Sequence, residues 1–169
     1  SVDKQKLSES EKEVILSRID TTTEVSDMAD VDFVVEAASE DEIVKFAIFS
    51  ELYKVCSPHT ILATNTSSIP IGRVAARTKR ADKVIGMHFM NPVPVMSLVE
   101  VIRALQTSDK TYEVTVNLAR LLGKTPAEAN DYPGFIANRI LLPMINEAVF
   151  CLFQGVGDCE SIDTVMKLG

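Results

Sequence analysis

This chain of 169 residues is short of cysteine, of positive charge and of long apolar runs, and each shortage removes a class of protein. Three cysteines, Cys56, Cys151 and Cys159, are an odd number with no C-x-x-C spacing and no nearby histidine pair, so neither a disulfide framework nor a zinc site is expected. Reduced thiols are the default. Seventeen basic against 24 acidic residues give a formal charge of −7, which argues against a general nucleic-acid surface but leaves room for an anionic cofactor met locally. No apolar run approaches the roughly 20 residues that a membrane helix needs. The opening SVDKQKLSES has neither the basic start nor the apolar middle of a secretory signal. There is no internal repeat and no low-complexity segment. We therefore expect a soluble intracellular protein, cytoplasmic or else of the mitochondrial matrix or peroxisome, with neither nucleic acid nor membrane as partner.

What is present is an ordinary globular balance, 46% hydrophobic and 24% charged, enough for one sizeable core and a small second lobe. LSESEKEVILSRI sets Ser8 three residues before Glu11 and puts Val14, Ile15 and Ile19 on one helical face, which predicts a capped amphipathic helix. After the polar linker TTTEVSDMAD, four short β-branched apolar runs follow: DFVVEAA, TILATN, KVIGMHF and SLVEVIRA. Helical segments at about 41–56, 69–77 and 108–122 alternate with them, predicting a largely parallel α/β sheet covered on both faces. Such sheets bind ligands at the carboxyl ends of their strands. Glu36, Asn65, Thr66, Ser67, Ser68, His88 and Asn91 all fall at or beyond strand ends.

The chain changes character near Asp131. Tyr132, Pro133 and Gly134 make a turn, after which GFIANRILLPMINEAVFCLFQGV is apolar on more than one helical face and holds Pro143, expected to kink it. DCESIDTVMKLG predicts one more short helix. So little sequence follows the long helix that we expect its apolar faces to be covered by a dimer partner, by exchanged helices, or by more of a longer chain.

Within GMHFMNPVPVMSLVE, His88 and Glu100 stand in almost wholly apolar surroundings. The plain alternative is a core histidine at a strand end and a carboxylate on the wet face of an edge strand. The company they keep points elsewhere. ATNTSS, GMHFMNPVPVMSLVEVI, LGKTP and DYPGFIANRILLPMINEA, in this order and spacing, resemble the L-3-hydroxyacyl-CoA dehydrogenase family, in particular its 3-hydroxybutyryl-CoA dehydrogenase type. The resemblance runs from about Lys6 to Gly169 and implies a Rossmann-like domain followed by a helical domain that dimerises. By it, residues 1–130 are a partial NAD-binding domain and residues 131–169 the start of an all-α C-terminal domain. The implied reaction is oxidation of (S)-3-hydroxyacyl-CoA to 3-oxoacyl-CoA with NAD, in fatty-acid or butanoate metabolism. NADP stays open. The implied catalytic set is His88, Glu100, Ser67 and Asn138; the implied cofactor contacts are Glu40, Lys45, Ser67 and Asn91. The implied partners are an acyl-CoA and a second copy of the chain, joined through the C-terminal helices.

The chemistry fits those residue types. Oxidising a secondary alcohol by hydride transfer requires its hydroxyl proton to leave as well, and a histidine titrating near neutrality suits that task. A carboxylate on the other ring nitrogen fixes the tautomer and steadies the imidazolium. We expect neighbouring strands of a parallel sheet to bring His88 and Glu100 together, with Ser67 and Asn138 holding the substrate oxygen between two lobes. His59, in the SPHT turn, reads as a surface loop residue, and Met90 and Met96 as packing.

The departures are as informative. The family's glycine-rich turn, which lays the cofactor pyrophosphate on a helix N-terminus, is not found; the one G-x-G, Gly155-Val156-Gly157, follows the long helix. Asp41 stands where the family commonly has asparagine, and Ser97 where it often has lysine. Three expectations remain: the central part of a longer dehydrogenase, a truncated CoA-ester-binding or dimerisation module without catalysis, and a metabolic fold kept for a structural role.

Overall fold

A computed structural model describes residues 8–169. The stretch examined for a secretory signal, apart from its last three residues, and the start of the family resemblance at Lys6 lie outside the described residues. Helix α1 (Glu9–Leu16) opens with Ser8 as cap: its hydroxyl accepts from Glu11 N–H while the Glu11 carboxylate accepts from Ser8 N–H at 2.7 Å. This reciprocal pairing satisfies amide groups that the first helical turn otherwise leaves open. The helix buries none of its own residues, however, so the apolar face read from Val14 and Ile15 is exposed.

Strands β1 (Phe33–Glu36), β2 (Ile61–Thr64), β3 (Val84–Phe89), β4 (Leu98–Arg103) and β5 (Thr125–Asn130) form one five-stranded sheet in that order. Helices α2 (Glu42–Val55), α3 (Ile71–Ala75) and α4 (Asp109–Leu121) lie between them in the chain. This is the largely parallel, Rossmann-like α/β arrangement expected, followed by the helices α5 (Ala137–Phe153) and α6 (Cys159–Leu168). Pro143 lies inside α5 without ending it.

Two features differ from expectation. The first is β5, whose sequence TPAEAN lacks the β-branched run of a buried strand. It is recruited by full pairing along β4 and tolerates Pro126 because it is the sheet's edge. The second is the direction of β4. It runs antiparallel to β3, so His88 and Glu100 are brought together not by parallel neighbours but as direct partners across an antiparallel pair.

Side-chain alternation then sorts the sheet into two faces. Ile61, Ala63, Ile85, Met87, Val99 and Val101 pack towards α4 residues Val116 and Ala119. Leu62, Val84 and Ile102 turn the other way, to Phe49 and Leu52 of α2, Ile71 and Val74 of α3, and Phe135. Since 88 and 100 share parity with 62, 84 and 102, their polar side chains emerge on this second face, where the chain crosses from β5 to α5. Gly86 makes the approach possible, because a Cβ there would stand 2.8 Å from Ile102 Cβ and 2.9 Å from Ile71 Cδ1. No helix among the described residues is long and apolar enough to cross a membrane.

Candidate active site

Glu100 is 1% exposed and His88 7%. Their contact is 2.9 Å, from His88 Nδ1 to Glu100 Oε2. With Nδ1 protonated the ring donates to the carboxylate, and Nε2 is left as an acceptor. Ser67 Oγ stands 3.1 Å from that Nε2, so the three side chains form one line: hydroxyl, imidazole, carboxylate. The second carboxylate oxygen, Oε1, accepts the Ile136 and Ala137 N–H groups, each at 3.0 Å. Every buried side-chain nitrogen or oxygen among the described residues has a partner, which is what makes so deep a carboxylate tolerable.

The loop that delivers Ser67 is held from below. Glu40 Oε1 accepts from Thr66 Oγ1 at 2.6 Å, from the Ser67 and Ser68 N–H groups at 3.0 Å each, and from Ser68 Oγ at 2.9 Å. Partial burial pushes the Glu40 carboxyl up, but the Thr66, Ser68 and Ser67 hydrogen bonds and the Lys45 charge together outweigh it, leaving the group below the usual carboxylate range. Lys45 is 1% exposed. Its ammonium donates to both oxygens of Glu36, at 2.8 and 3.1 Å, and to Ala38 O at 3.3 Å, with Glu40 Oε2 at 3.7 Å. Glu36 completes its shell with Thr64 Oγ1 at 2.7 Å and Ala38 N–H at 2.6 Å. Asn65 Oδ1 accepts from Phe89 N–H at 2.8 Å, tying the ends of β2 and β3.

The structure thus brings His88, Glu100 and Ser67 together, and adds Asn138, whose amide donates to the Ser67 carbonyl at 3.3 Å. Glu40 and Lys45 sit beside them in a network that takes up the Lys45 ammonium and Glu40 Oε1, while Glu40 Oε2 has, among the described residues, only the Lys45 ammonium at 3.7 Å. Asn91 is exposed beyond β3 and shares no hydrogen bond with the cluster among the described residues. His59 is an exposed loop residue, close to Ser57 and Asp32. Met96, read as packing, is 41% exposed.

Sequence reasoning did not give Glu36 its partner, nor Phe135 its place against the His88 ring, with centroids 5.9 Å apart. It also passed over Asp131, whose carboxylate accepts the Ile71 and Gly72 N–H groups at 2.9 and 2.8 Å and pins the crossing to α3. The nine-residue separation of Glu36 and Lys45, across a strand end and a helix start, was the available signal for the first. Nothing local signals the other two.

A dinucleotide in a sheet of this kind lies across the carboxyl ends of the strands. The residues there are of a kind to suit its nicotinamide end: Ala37 and Ala38 are small and exposed beyond β1, and Ser67 and His88 follow beyond β2 and near the end of β3, the next two strands of the sheet. Among the described residues no glycine turn follows β1, so no group is assigned to the pyrophosphate.

The family model for the 3-hydroxyacyl-CoA dehydrogenase NAD binding domain matches residues 1–132, and that for the C-terminal domain of the same family matches residues 134–169. A 3-hydroxybutyryl-CoA dehydrogenase of Bradyrhizobium diazoefficiens is 51% identical over 99% of this chain and 57% of its own length. The human mitochondrial hydroxyacyl-coenzyme A dehydrogenase is 47% identical over 93% of this chain and 50% of its own. Among solved structures, (S)-3-hydroxybutyryl-CoA dehydrogenase from Ralstonia eutropha superposes with a TM-score of 0.96 at 48% identity, covering 99% of this chain and 59% of that one. The chain spans a little over half the length of such relatives.

Proposed function

The chain belongs to the 3-hydroxyacyl-CoA dehydrogenase family, and from that premise we propose that it carries the proton-transfer site of an NAD-dependent enzyme oxidising (S)-3-hydroxyacyl-CoA, 3-hydroxybutyryl-CoA above all, to the 3-oxoacyl-CoA. The observation that supports this reading best is the line Ser67 Oγ, His88 Nε2, His88 Nδ1, Glu100 Oε2, with steps of 3.1 and 2.9 Å. Its outer members are the Ser67 hydroxyl and the ring nitrogen that meets it, at strand ends where a nicotinamide would lie.

In the oxidising direction His88 Nε2 accepts the proton of the substrate 3-hydroxyl as the C3–H bond breaks. A bound nicotinamide would supply the hydride acceptor, so that one proton and one hydride would leave and a C3 carbonyl would form. Glu100 holds the ring in the one tautomer that presents a lone pair at Nε2, and its charge steadies the imidazolium that results. Ser67 Oγ marks where the substrate oxygen is met, and Asn138 fixes the Ser67 backbone from α5. Asn91, whose side-chain amide makes no hydrogen bond among the described residues, is the candidate for contact with the cofactor. Glu40 and Lys45 serve it through the loop that they hold. In reverse, protonated His88 supplies the proton to the oxygen of a 3-oxoacyl-CoA.

The uncovered apolar side chains of α5 and α6, among them Ile140, Leu142, Val149, Phe153 and Leu168, support a homodimer joined through these helices. Sedimentation equilibrium should give twice the monomer mass; a monomer at micromolar concentration would refute the pairing. Free Cys56, Cys151 and Cys159 fit a reducing compartment.

The test of the activity is NADH oxidation driven by acetoacetyl-CoA, with His88→Gln beside the unaltered chain. We expect turnover that falls on the order of 10²–10⁴-fold in the variant, the usual worth of a positioned acid–base group. Turnover that survives His88→Gln, or a chain that neither turns over nor binds acetoacetyl-CoA, would overturn it.

A further inference from the structure

Helix α5 starts without a side-chain cap of its own. Its first N–H groups are capped instead by a carboxylate 36 residues earlier in the chain, Glu100, whose other oxygen holds His88. What aims those N–H groups is a pair of consecutive left-handed residues, Gly134 at φ +78° and Phe135 at φ +49°. Glycine adopts that backbone freely, whereas a bulky L-residue rarely does. Phe135 is the one non-glycine residue with positive φ among the described residues. It is also 4% exposed, in the same buried cluster as Ile71 and Ile102, and its ring lies 5.9 Å from the His88 ring at 59°. A residue needed only to fill space would not have to sit in a strained backbone. A residue needed only to turn the chain would be glycine or asparagine. Phe135 meets both demands at one position, beside the His88 ring.

We propose that Phe135 is a positioning residue for the reaction put forward above: its left-handed backbone holds the Ile136 and Ala137 N–H groups on Glu100, and its ring walls His88. The inference rests on that functional reading for its purpose but on geometry alone for its mechanism. With Oε1 anchored by two amides, the carboxylate cannot rotate, so Oε2 meets Nδ1 in one orientation only. With one edge of the imidazole against a buried ring, water is kept from that side of the pair. Asp131, bonded to the Ile71 and Gly72 N–H groups, fixes the other end of the same crossing.

Two variants separate the parts. Phe135→Gly keeps a left-handed backbone and removes the ring. Gly134→Ala keeps the ring but sets a Cβ 2.9 Å from Arg139 N at φ +78°, so the turn that carries the amides must shift. The readout is the His88 Nδ1–H proton and the ring nitrogen shifts by NMR, recorded on this chain without cofactor, beside thermal unfolding and steady-state kinetics. We expect both variants to unfold cooperatively, to lose or broaden the Nδ1–H signal, and to lose on the order of 10- to 100-fold in kcat with little change in KM, as a small misplacement of a reacting group costs. An unchanged Nδ1–H signal and kcat in both variants, with only a lower Tm, would overturn the proposal and leave Phe135 as packing. Should Gly134→Ala fail to fold, Phe135→Gly decides. Should the unaltered chain show no turnover, the NMR arm still decides the positioning claim, while the functional reading fails by its own test.

Discussion

Glu36 and Glu100 are the two buried carboxylates of this sheet, and they are used in opposite ways. Both emerge on the face covered by α2, α3 and Phe135, and both have every oxygen occupied. Glu36 faces Lys45, a cation whose three donors are all spent on Glu36 and Ala38. Glu100 faces His88, an imidazole able to take up and give back a proton at Nε2, with its second oxygen on two backbone amides. The first pair is closed, so its work is to hold the loop with Ser67 in place through Glu40. The second ends at His88 Nε2, which among the described residues meets only the Ser67 hydroxyl, and that atom is where proton chemistry can occur. Burying a charge is costly either way; the partner decides whether the result is a fastening or a reactive group.

The comparison is broken most severely by Glu100→Gln. Removing the charge while keeping the shape should lower acetoacetyl-CoA-driven NADH oxidation on the order of 10²–10⁴-fold; an effect below tenfold would mean that the two carboxylates do not differ as argued. Lys45→Met, by contrast, should act on stability, because it strands Glu36 in the core. A loss of about 3–5 kcal/mol in urea denaturation is expected. Adding Glu36→Gln to it should recover part of that loss in a double-mutant cycle, whereas strict additivity would show the pair to be uncoupled.

A smaller effect concerns Glu40, the link between the two regions. Its carboxyl lies below the usual range in the folded chain, so the folded state binds that proton less readily than the unfolded one. Its contribution is therefore present above the unfolded value and is lost as the pH falls through the folded one. Unfolding midpoints should drop below about pH 4.5, the ordinary value for this carboxyl. In Glu40→Gln that part of the acid dependence should flatten, and a curve superposable on that of the unaltered chain would count against the role given to Glu40. Least of all, His59→Gln should stay within about 0.5 kcal/mol in stability and leave turnover unaltered, showing that the other histidine of the chain has no share in the chemistry.

Much of this was legible in the residues. The capping box of α1 needs only Ser8 and Glu11 three positions apart, a short-range hydrogen-bonding pattern. Strands β1 to β4 declare themselves as β-branched runs, because a strand covered on both faces has no polar side to show. β5 does not, since an edge strand can be made of residues with no preference of their own once β4 offers a full row of partners. The direction of β4 was legible but missed: the link between Phe89 and Leu98 is too short for the crossover of about a dozen residues or more that a parallel neighbour needs.

By itself, then, the sequence determined the layers, the strand-end position of the polar residues, and the chemical types available to the site: one imidazole in an apolar run, one carboxylate in another, and a hydroxyl in a loop. These follow from periodicity and burial, which are local properties. Only the tertiary structure decided which groups meet. The antiparallel register sets His88 opposite Glu100, the Gly134–Phe135 turn brings the α5 amides to the same carboxylate, and Lys45 finds Glu36 rather than solvent. The first two join separate elements across a packed face, and the third, though nine residues apart in the chain, needs α2 packed against the end of β1, so each exists only once that face has assembled.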